Sequence, residues 1–233
     1  MNTAIQIKYT FKLPNKDVSF DYSFNQDDFS LFKSNRNNNK EWAELDYYKC
    51  SHCPLDMKTH PICPLADVLD DIVTKLDEHS YDTVLVKVDM ENRTVTSKTT
   101  MQKALGSMMG LIIPACGCPY TLFFRPMARF HLPFSNSLET IYRTSSMFLL
   151  AQYFRNKDKK VMPISLKDLE EVCDNIHIVD TQICKRLSQA CEKDSSRNAV
   201  VILDSFSFSV KMALKKDLSK IESLFTPYIN IKE

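Results

Sequence analysis

Residues 48–55 read Tyr-Lys-Cys-Ser-His-Cys-Pro-Leu, and residues 60–66 read His-Pro-Ile-Cys-Pro-Leu-Ala. Cysteine thiolates and histidine nitrogens at such short spacing are the ligands of zinc and iron–sulfur sites. Residues 115–119, which read Ala-Cys-Gly-Cys-Pro, bring two more cysteines much later in the chain. The sequence therefore predicts one metal site built from two separate segments, with the rest of the chain holding those segments together.

The predicted metal ligands are four cysteines, each with a separate reason. Cys50 and Cys53 form a Cys-x-x-Cys pair, which lets both thiolates turn toward one ion from a tight loop. Cys63 adds a third sulfur nearby. Cys118 is preferred as the fourth because it shares the Cys-Pro context of Cys53 and Cys63, and because Gly117 permits a sharp backbone turn before it.

Other interpretations of these cysteines remain open. A local Cys₃His set would replace Cys118 with His60, and Cys116 is a second substitute for Cys118. The cysteines could instead be reduced and packed as small apolar residues. Thiol redox chemistry at Cys50 and Cys53 is the weakest of these readings, because no βαβ pattern follows the pair.

Zinc is the preferred metal, and an iron–sulfur cluster is the alternative. Four thiolates without a visible redox partner favour zinc. The three Cys-Pro dipeptides favour a cluster, because a proline also follows the last cysteine of bacterial ferredoxin motifs. Spacing by itself does not separate the two metals.

Composition narrows the class of protein. The formal net charge is +1 and there is no basic block, so we expect no nucleic-acid partner. No apolar run approaches the length of a membrane span. The N-terminus leads directly into an alternating pattern without a signal peptide, so we expect a cytoplasmic protein with reduced thiols.

The periodicity predicts an α+β fold. Apolar residues alternate over residues 4–11 and 18–24, which indicates a β-hairpin, and a second hairpin is predicted from residues 82–90 and the strand around Val95. Residues 42–48 are interpreted as a further strand that leads into the cysteines. The predicted division is an α+β part at residues 1–135, which carries the cysteine site, and a helical bundle at residues 136–233, packed as one globular unit.

Helical spacing of apolar residues predicts most of the remaining chain. Helices are expected over residues 65–79 and 100–113, from Asn136 to about Phe154, along about seven turns from Leu166, and within residues 197–225. Asn136 followed by Glu139 is a typical helix start. Residues 25–40 are expected to form a loop and residues 155–163 a basic linker. Cys173, Cys184 and Cys191 share one stripe of the long helix and are interpreted as core residues.

Residues 123–134 contain a second candidate site. Arg125, Arg129 and His131 follow shortly after Cys118, and two arginines beside a histidine are suited to binding a phosphate or carboxylate. The competing interpretation is that these side chains tie an irregular segment to the core. Their convergence in space is not readable from one sequence.

Several motifs together resemble a bacterial family of uncharacterised proteins. These are Cys-x-x-Cys-Pro-Leu at 50–55, Cys-Pro-Leu-Ala at 63–66, Gly-Cys-Pro at 117–119, Arg-Pro-Met-Ala-Arg-Phe-His-Leu-Pro-Phe at 125–134 and Ala-Gln-Tyr-Phe at 151–154. The resemblance spans most of the chain and implies a bacterial cytoplasmic protein, but it implies no activity.

The expected function is therefore that of a metal-binding protein with a structural, interaction or regulatory role. Its partner would be another protein or a small anionic ligand. The alternative is an iron–sulfur enzyme or redox sensor in which Arg125, Arg129 and His131 act beside the cluster.

Overall fold

A four-stranded antiparallel sheet lies in the N-terminal half of the protein. A computed structural model describes residues 4–32, 40–158 and 165–229. The strand order is β2-β1-β3-β4, and the strands are β1 (Ile5–Lys12), β2 (Asp17–Phe24), β3 (Thr83–Met90) and β4 (Arg93–Thr100). Both predicted hairpins are confirmed, and β1 also pairs with β3.

Alternation of side chains gives the sheet one buried face. Tyr9 and Phe11 on β1 are fully buried, and they pair with Phe20 and Val18 on β2. Val86 and Val88 extend the same apolar surface onto β3. Because successive residues of a strand point to opposite sides, this pattern leaves the other face to polar side chains such as Lys8 and Lys87.

Helices occupy much of the remaining described chain and pack against the buried face and against one another. They are α1 (Pro64–Lys75), α2 (Met101–Ile112), α3 (Arg125–Arg129), α4 (Ser137–Asn156), α5 (Lys167–Ala190), α6 (Ser195–Leu214), α7 (Ser219–Glu222) and α8 (Thr226–Ile229). The fold is therefore α+β, as the periodicity predicts. Among these helices, none combines the length and the apolar character that crossing a bilayer requires.

The strand predicted over residues 42–48 is wrong. Residues Glu41–Ala43 form one turn of 3₁₀ helix and residues 45–48 form turns. A single bridge between Glu44 and Ile62 is the extent of the strand-like pairing here. The carbonyls of Trp42, Glu44 and Leu45 accept hydrogen bonds from a distant arginine side chain, which is described below.

Two predicted connections extend beyond the described residues. Residues 33–39 of the predicted loop and residues 159–163 of the predicted linker lie outside the described part of the chain. Of the predicted linker, residues 155 and 156 belong to the end of α4.

The main apolar core joins the sheet to the helices. It includes Tyr9 and Phe11 of β1, Leu69 of α1, and Val179 and Ile183 of α5. Residues from both sides of the predicted division at residue 135 therefore contribute to one cluster. A smaller cluster is formed by the helices and includes Ile141, Phe148 and Leu169.

The three cysteines of α5 and its C-terminal end belong to these clusters. Cys173 is part of the smaller cluster, whereas Cys184 and Cys191 pack against the main one. Burial raises the pKa of each thiol to about 11, so all three stay protonated at neutral pH.

Helix α4 begins with the capping box that its sequence predicts. The Glu139 amide donates to the Asn136 side chain at 3.0 Å, and the Asn136 amide donates to the Glu139 carboxylate at 2.7 Å. These bonds pair two amides at the helix start, where no intrahelical acceptor is available.

Replacement of Asn136 by alanine is expected to lower the free energy of unfolding by about 1 kcal/mol. Glu139→Gln, which keeps a side-chain acceptor for the Asn136 amide, is expected to cost less than half as much. Urea denaturation measures both values. Equal losses in the two variants would show that the asparagine cap does not contribute as described.

Candidate metal centre

The first cysteine segment is held in place by backbone hydrogen bonds on both sides. The Cys53 amide donates to the Cys50 carbonyl at 3.0 Å, which closes the Cys-x-x-Cys turn. The Cys63 amide donates to the Ala43 carbonyl at 2.8 Å. Cys63 is also the N-cap residue of α1, where the partial positive charge of the helix favours an anion.

The second cysteine segment follows α2 and a turn of 3₁₀ helix. Gly117 has φ of +99°, a conformation that L side chains rarely adopt, and the Cys118 amide points to the Cys116 sulfur at 3.4 Å. A Cβ atom added to Gly117 would lie 3.9 Å from Cβ of Pro64. The second segment therefore passes directly beside the residue that follows Cys63.

An aromatic pair fastens the two segments together. The rings of His52 and Tyr120 stack with their centroids 3.8 Å apart, and the Tyr120 hydroxyl donates to the His52 carbonyl at 2.9 Å. His52 Nε2 donates to the Asn175 carbonyl of α5 at 3.2 Å. His52 thus links the Cys-x-x-Cys turn to the second cysteine segment and to α5.

The four predicted ligands line one small cavity. Its volume is about 20 Å³, and its walls include Cys50, Cys53, Cys63 and Cys118. Helix α5 closes the cavity with Val179, Ile183 and Arg186. Two cysteine turns that are more than 50 residues apart in sequence therefore face the same space.

The thiols are close enough to influence one another electrostatically. Burial raises the pKa of Cys50 to about 12, and the neighbouring thiols of Cys63, Cys118 and Cys53 contribute to the increase. Burial likewise raises the pKa of Cys118. As the side chains stand, no group of three or more His, Cys, Asp or Glu within the described ranges is arranged to hold a metal ion. The cysteines share a cavity but are not in coordination geometry.

A buried arginine forms one wall of this cavity. The Arg186 side chain is 2% exposed, and its guanidinium donates to the carbonyls of Trp42, Glu44 and Leu45 at 2.6–2.9 Å. All three acceptors are neutral. The ionisable groups that act on it most strongly are the thiols of Cys63, Cys50 and Cys53. Because a guanidinium keeps its charge in proteins, this wall is positive.

The two substitute ligands are placed differently from the preferred four. His60 is exposed, and its Nδ1 lies 2.9 Å from the Thr59 hydroxyl. Cys116 is buried next to Cys118, but it does not line the cavity. Burial raises the pKa of its thiol.

Arg125, Arg129 and His131 are each engaged in contacts within the fold. Arg125 pairs with Asp28 at 3.6 Å, and the Arg129 guanidinium lies over the ring of Phe29. His131 is 6% exposed and shares a hydrogen bond of 2.6 Å with the Tyr9 hydroxyl. Burial, with help from two nearby arginines, lowers the pKa of His131 to about 3, so the ring is neutral. Each side chain has a structural partner of its own.

Sequence reasoning missed Arg186, although the sequence contains a signal for it. Ile183, Arg186 and Leu187 have the spacing that places residues on one face of a helix, and both apolar members are buried. A charged residue within an apolar stripe indicates a buried charge that requires hydrogen-bond partners.

Replacement of Gly117 by alanine is expected to lower the free energy of unfolding by about 1–3 kcal/mol, because alanine is strained at positive φ. Gly110→Ala is the matched control. Its added Cβ meets the Leu203 side chain at an ordinary 3.8 Å, so this change within α2 is expected to be neutral or to stabilise by up to about 1 kcal/mol. Chemical denaturation of both variants measures the difference, and a similar effect at both positions would contradict it.

Comparison with known proteins identifies the family but no characterised relative. No curated protein and no solved structure matches this chain. One family model, described as a domain of unknown function (DUF6901), matches residues 6–226. Because the match covers nearly the whole sequence, the chain belongs to the DUF6901 family of domains of unknown function.

Proposed function

We propose that Cys50, Cys53, Cys63 and Cys118 bind one zinc ion. The observation that carries this proposal is the shared cavity, which brings two remote cysteine turns to the same space beside a buried cation. Four thiolates around Zn²⁺ form a closed tetrahedral site of the structural type.

Charge supports thiolate ligands at this position. A tetrathiolate zinc site has a net charge of −2, since four thiolates surround one divalent cation. Arg186, whose hydrogen-bond acceptors are neutral carbonyls, would then have an anion beside it in a site of low dielectric constant. With four protonated thiols the same guanidinium remains buried without a neutralising group among these cavity residues, which is unfavourable.

The size of the cavity supports a single ion in preference to a cluster. A cavity volume of about 20 Å³ is close to the space that one water molecule needs. A cluster of several iron and sulfide atoms would require a larger cavity. The three side chains that an iron–sulfur enzyme would use beside its cluster, Arg125, Arg129 and His131, also have separate structural contacts.

Ligation would tighten the packing around α5. Zn–S bonds of about 2.3 Å place the sulfurs of a tetrahedral site about 3.8 Å apart. Holding the four sulfurs at that separation would fix the cysteine turns beside Val179, Ile183 and Arg186, the α5 residues that line the same cavity. The proposed role of the metal is thus to fasten the cysteine segments to the helical part.

The biological role that follows is structural, interaction-based or regulatory, and not catalytic. A reducing, cytoplasmic compartment suits this proposal, because all eight cysteines are free thiols. The partner would be a protein or a small anionic ligand.

Metal analysis tests the proposal directly. Protein purified without oxygen is expected to be colourless and to contain one zinc ion per chain. Cys50→Ser, Cys53→Ser, Cys63→Ser and Cys118→Ser are each expected to weaken zinc binding by at least about tenfold in a competition assay with a chromogenic chelator.

Cys116→Ser is the matched control and is expected to retain zinc, because Cys116 lies outside the cavity. A brown protein that contains iron and sulfide would show that the site holds an iron–sulfur cluster and not zinc. Loss of zinc in Cys116→Ser but not in Cys118→Ser would show that Cys116, and not Cys118, is the fourth ligand. Protein that neither contains nor binds metal overturns the proposal.

Arg186 provides a second test, because it should stabilise the protein more when zinc is bound than when zinc is absent. Arg186→Met removes three hydrogen bonds in either state, but the charge attraction is lost only when thiolates are present. We expect the variant to bind zinc at least about tenfold more weakly, which corresponds to about 1.4 kcal/mol of additional destabilisation in the zinc-loaded protein.

Arg186→Lys, which keeps the charge, is the control and is expected to bind zinc more tightly than Arg186→Met. Denaturation with and without zinc gives both quantities. Identical zinc affinity in the wild type and in Arg186→Met would remove the electrostatic support for a thiolate site.

A further inference from the structure

A second and much larger cavity lies against a different face of α5. Its volume is about 630 Å³, within the range of small-molecule sites. Residues of α2, α5 and α6 form its walls together with the segment before α4; they include Ser107, Gly110, His131, Ile176, Asp180 and Leu203. None of the four cysteines proposed to bind zinc lines this cavity.

One wall of this cavity contains the buried carboxyl group of Asp180. Asp180 is 6% exposed, and its Oδ2 atom has no hydrogen-bond partner within the part of the chain that the structure describes. Ile176, Asp180, Ile183 and Leu187 follow the helical stripe of α5, so an apolar residue would fit the pattern at position 180. An unpaired buried carboxyl group costs stability, which suggests that a ligand completes it.

The charges around the cavity favour a cation at Asp180. The charge of the Asp204 carboxylate on α6 acts on Asp180, and Asp204 bonds to His177 at 2.8 Å. Among the cationic side chains of the cavity wall, Lys103 is exposed at its edge. Arg143 donates to the carbonyls of Met127 and Phe130. Within the described part of the chain, neither side chain forms an ion pair or a hydrogen bond with Asp180.

The rest of the wall is suited to an apolar group. Gly106 and Gly110 of α2 pack closely against α6, and both line the cavity together with the apolar side chains of Ile202 and Leu203. On the sheet side, the Ser107 hydroxyl accepts from the Phe134 amide at 3.0 Å and bonds to Tyr9 at 2.9 Å. The polar groups on that side are thus mostly satisfied by the protein.

We propose that this cavity binds a small molecule that has an apolar body and one protonated amine, and that the amine pairs with the carboxylate of Asp180. Burial, followed by the charge of Asp204, raises the pKa of Asp180 well above its ordinary value. A cation at Oδ2 would oppose this rise in pKa, because it stabilises the charged carboxylate and supplies the missing hydrogen-bond donor.

Three probes of similar shape test this proposal: 1-naphthylmethylamine, 1-naphthylmethanol and 1-naphthoate. Calorimetric titration of the full chain at neutral pH is expected to show the amine binding at least about tenfold more tightly than the alcohol, with the naphthoate weakest. Asp180→Asn is expected to reduce amine affinity to that of the alcohol and to leave alcohol binding unchanged.

Two further variants make the result specific. Asp168→Asn removes an exposed carboxylate at the start of the same helix and is expected to change none of the affinities. Gly110→Leu places a side chain in the cavity wall and is expected to weaken all three probes. Equal binding of amine and alcohol, tighter binding of naphthoate, an unchanged amine preference in Asp180→Asn, or no binding of any probe overturns the proposal.

Discussion

The guanidinium of Arg186 is the contact on which the arrangement around the cysteines depends. The Arg186 side chain extends from α5 and is buried. Its N–H groups donate hydrogen bonds to three backbone carbonyls of the segment that precedes Cys50. These carbonyls have few strand partners, so the arginine supplies the hydrogen bonds that a sheet would otherwise provide. One side chain therefore fixes both the path of the chain into the Cys-x-x-Cys turn and the position of α5 over it.

The elements determined by local pattern could be predicted from the sequence. Alternation at Tyr9 and Phe11 gave the first hairpin, and Asn136 with Glu139 gave the start of α4. The strand predicted over residues 42–48 was wrong, because it rested only on the aromatic and apolar content of that segment. Their actual conformation depends on a side chain about 140 residues away, which no local pattern contains.

The candidate site shows the same division between local and long-range information. Spacing, the repeated Cys-Pro context and Gly117 were sufficient to select four cysteines that share a cavity. Whether Arg125, Arg129 and His131 form one site depends on their convergence in space, and their partners Asp28, Phe29 and Tyr9 come from the N-terminal hairpin and the loop after it. Buried charged residues such as Asp180 could have been recognised from the sequence, because they interrupt the apolar stripe of a helix.

Helix α5 is 24 residues long, or about 36 Å, and it faces a different cavity on each of two sides. Val179 belongs to one wall and Asp180, the next residue, to the other. A ligand that shifted α5 on binding in one cavity would change the affinity of the other cavity for its own ligand, and thermodynamic reciprocity makes such a coupling equal in both directions.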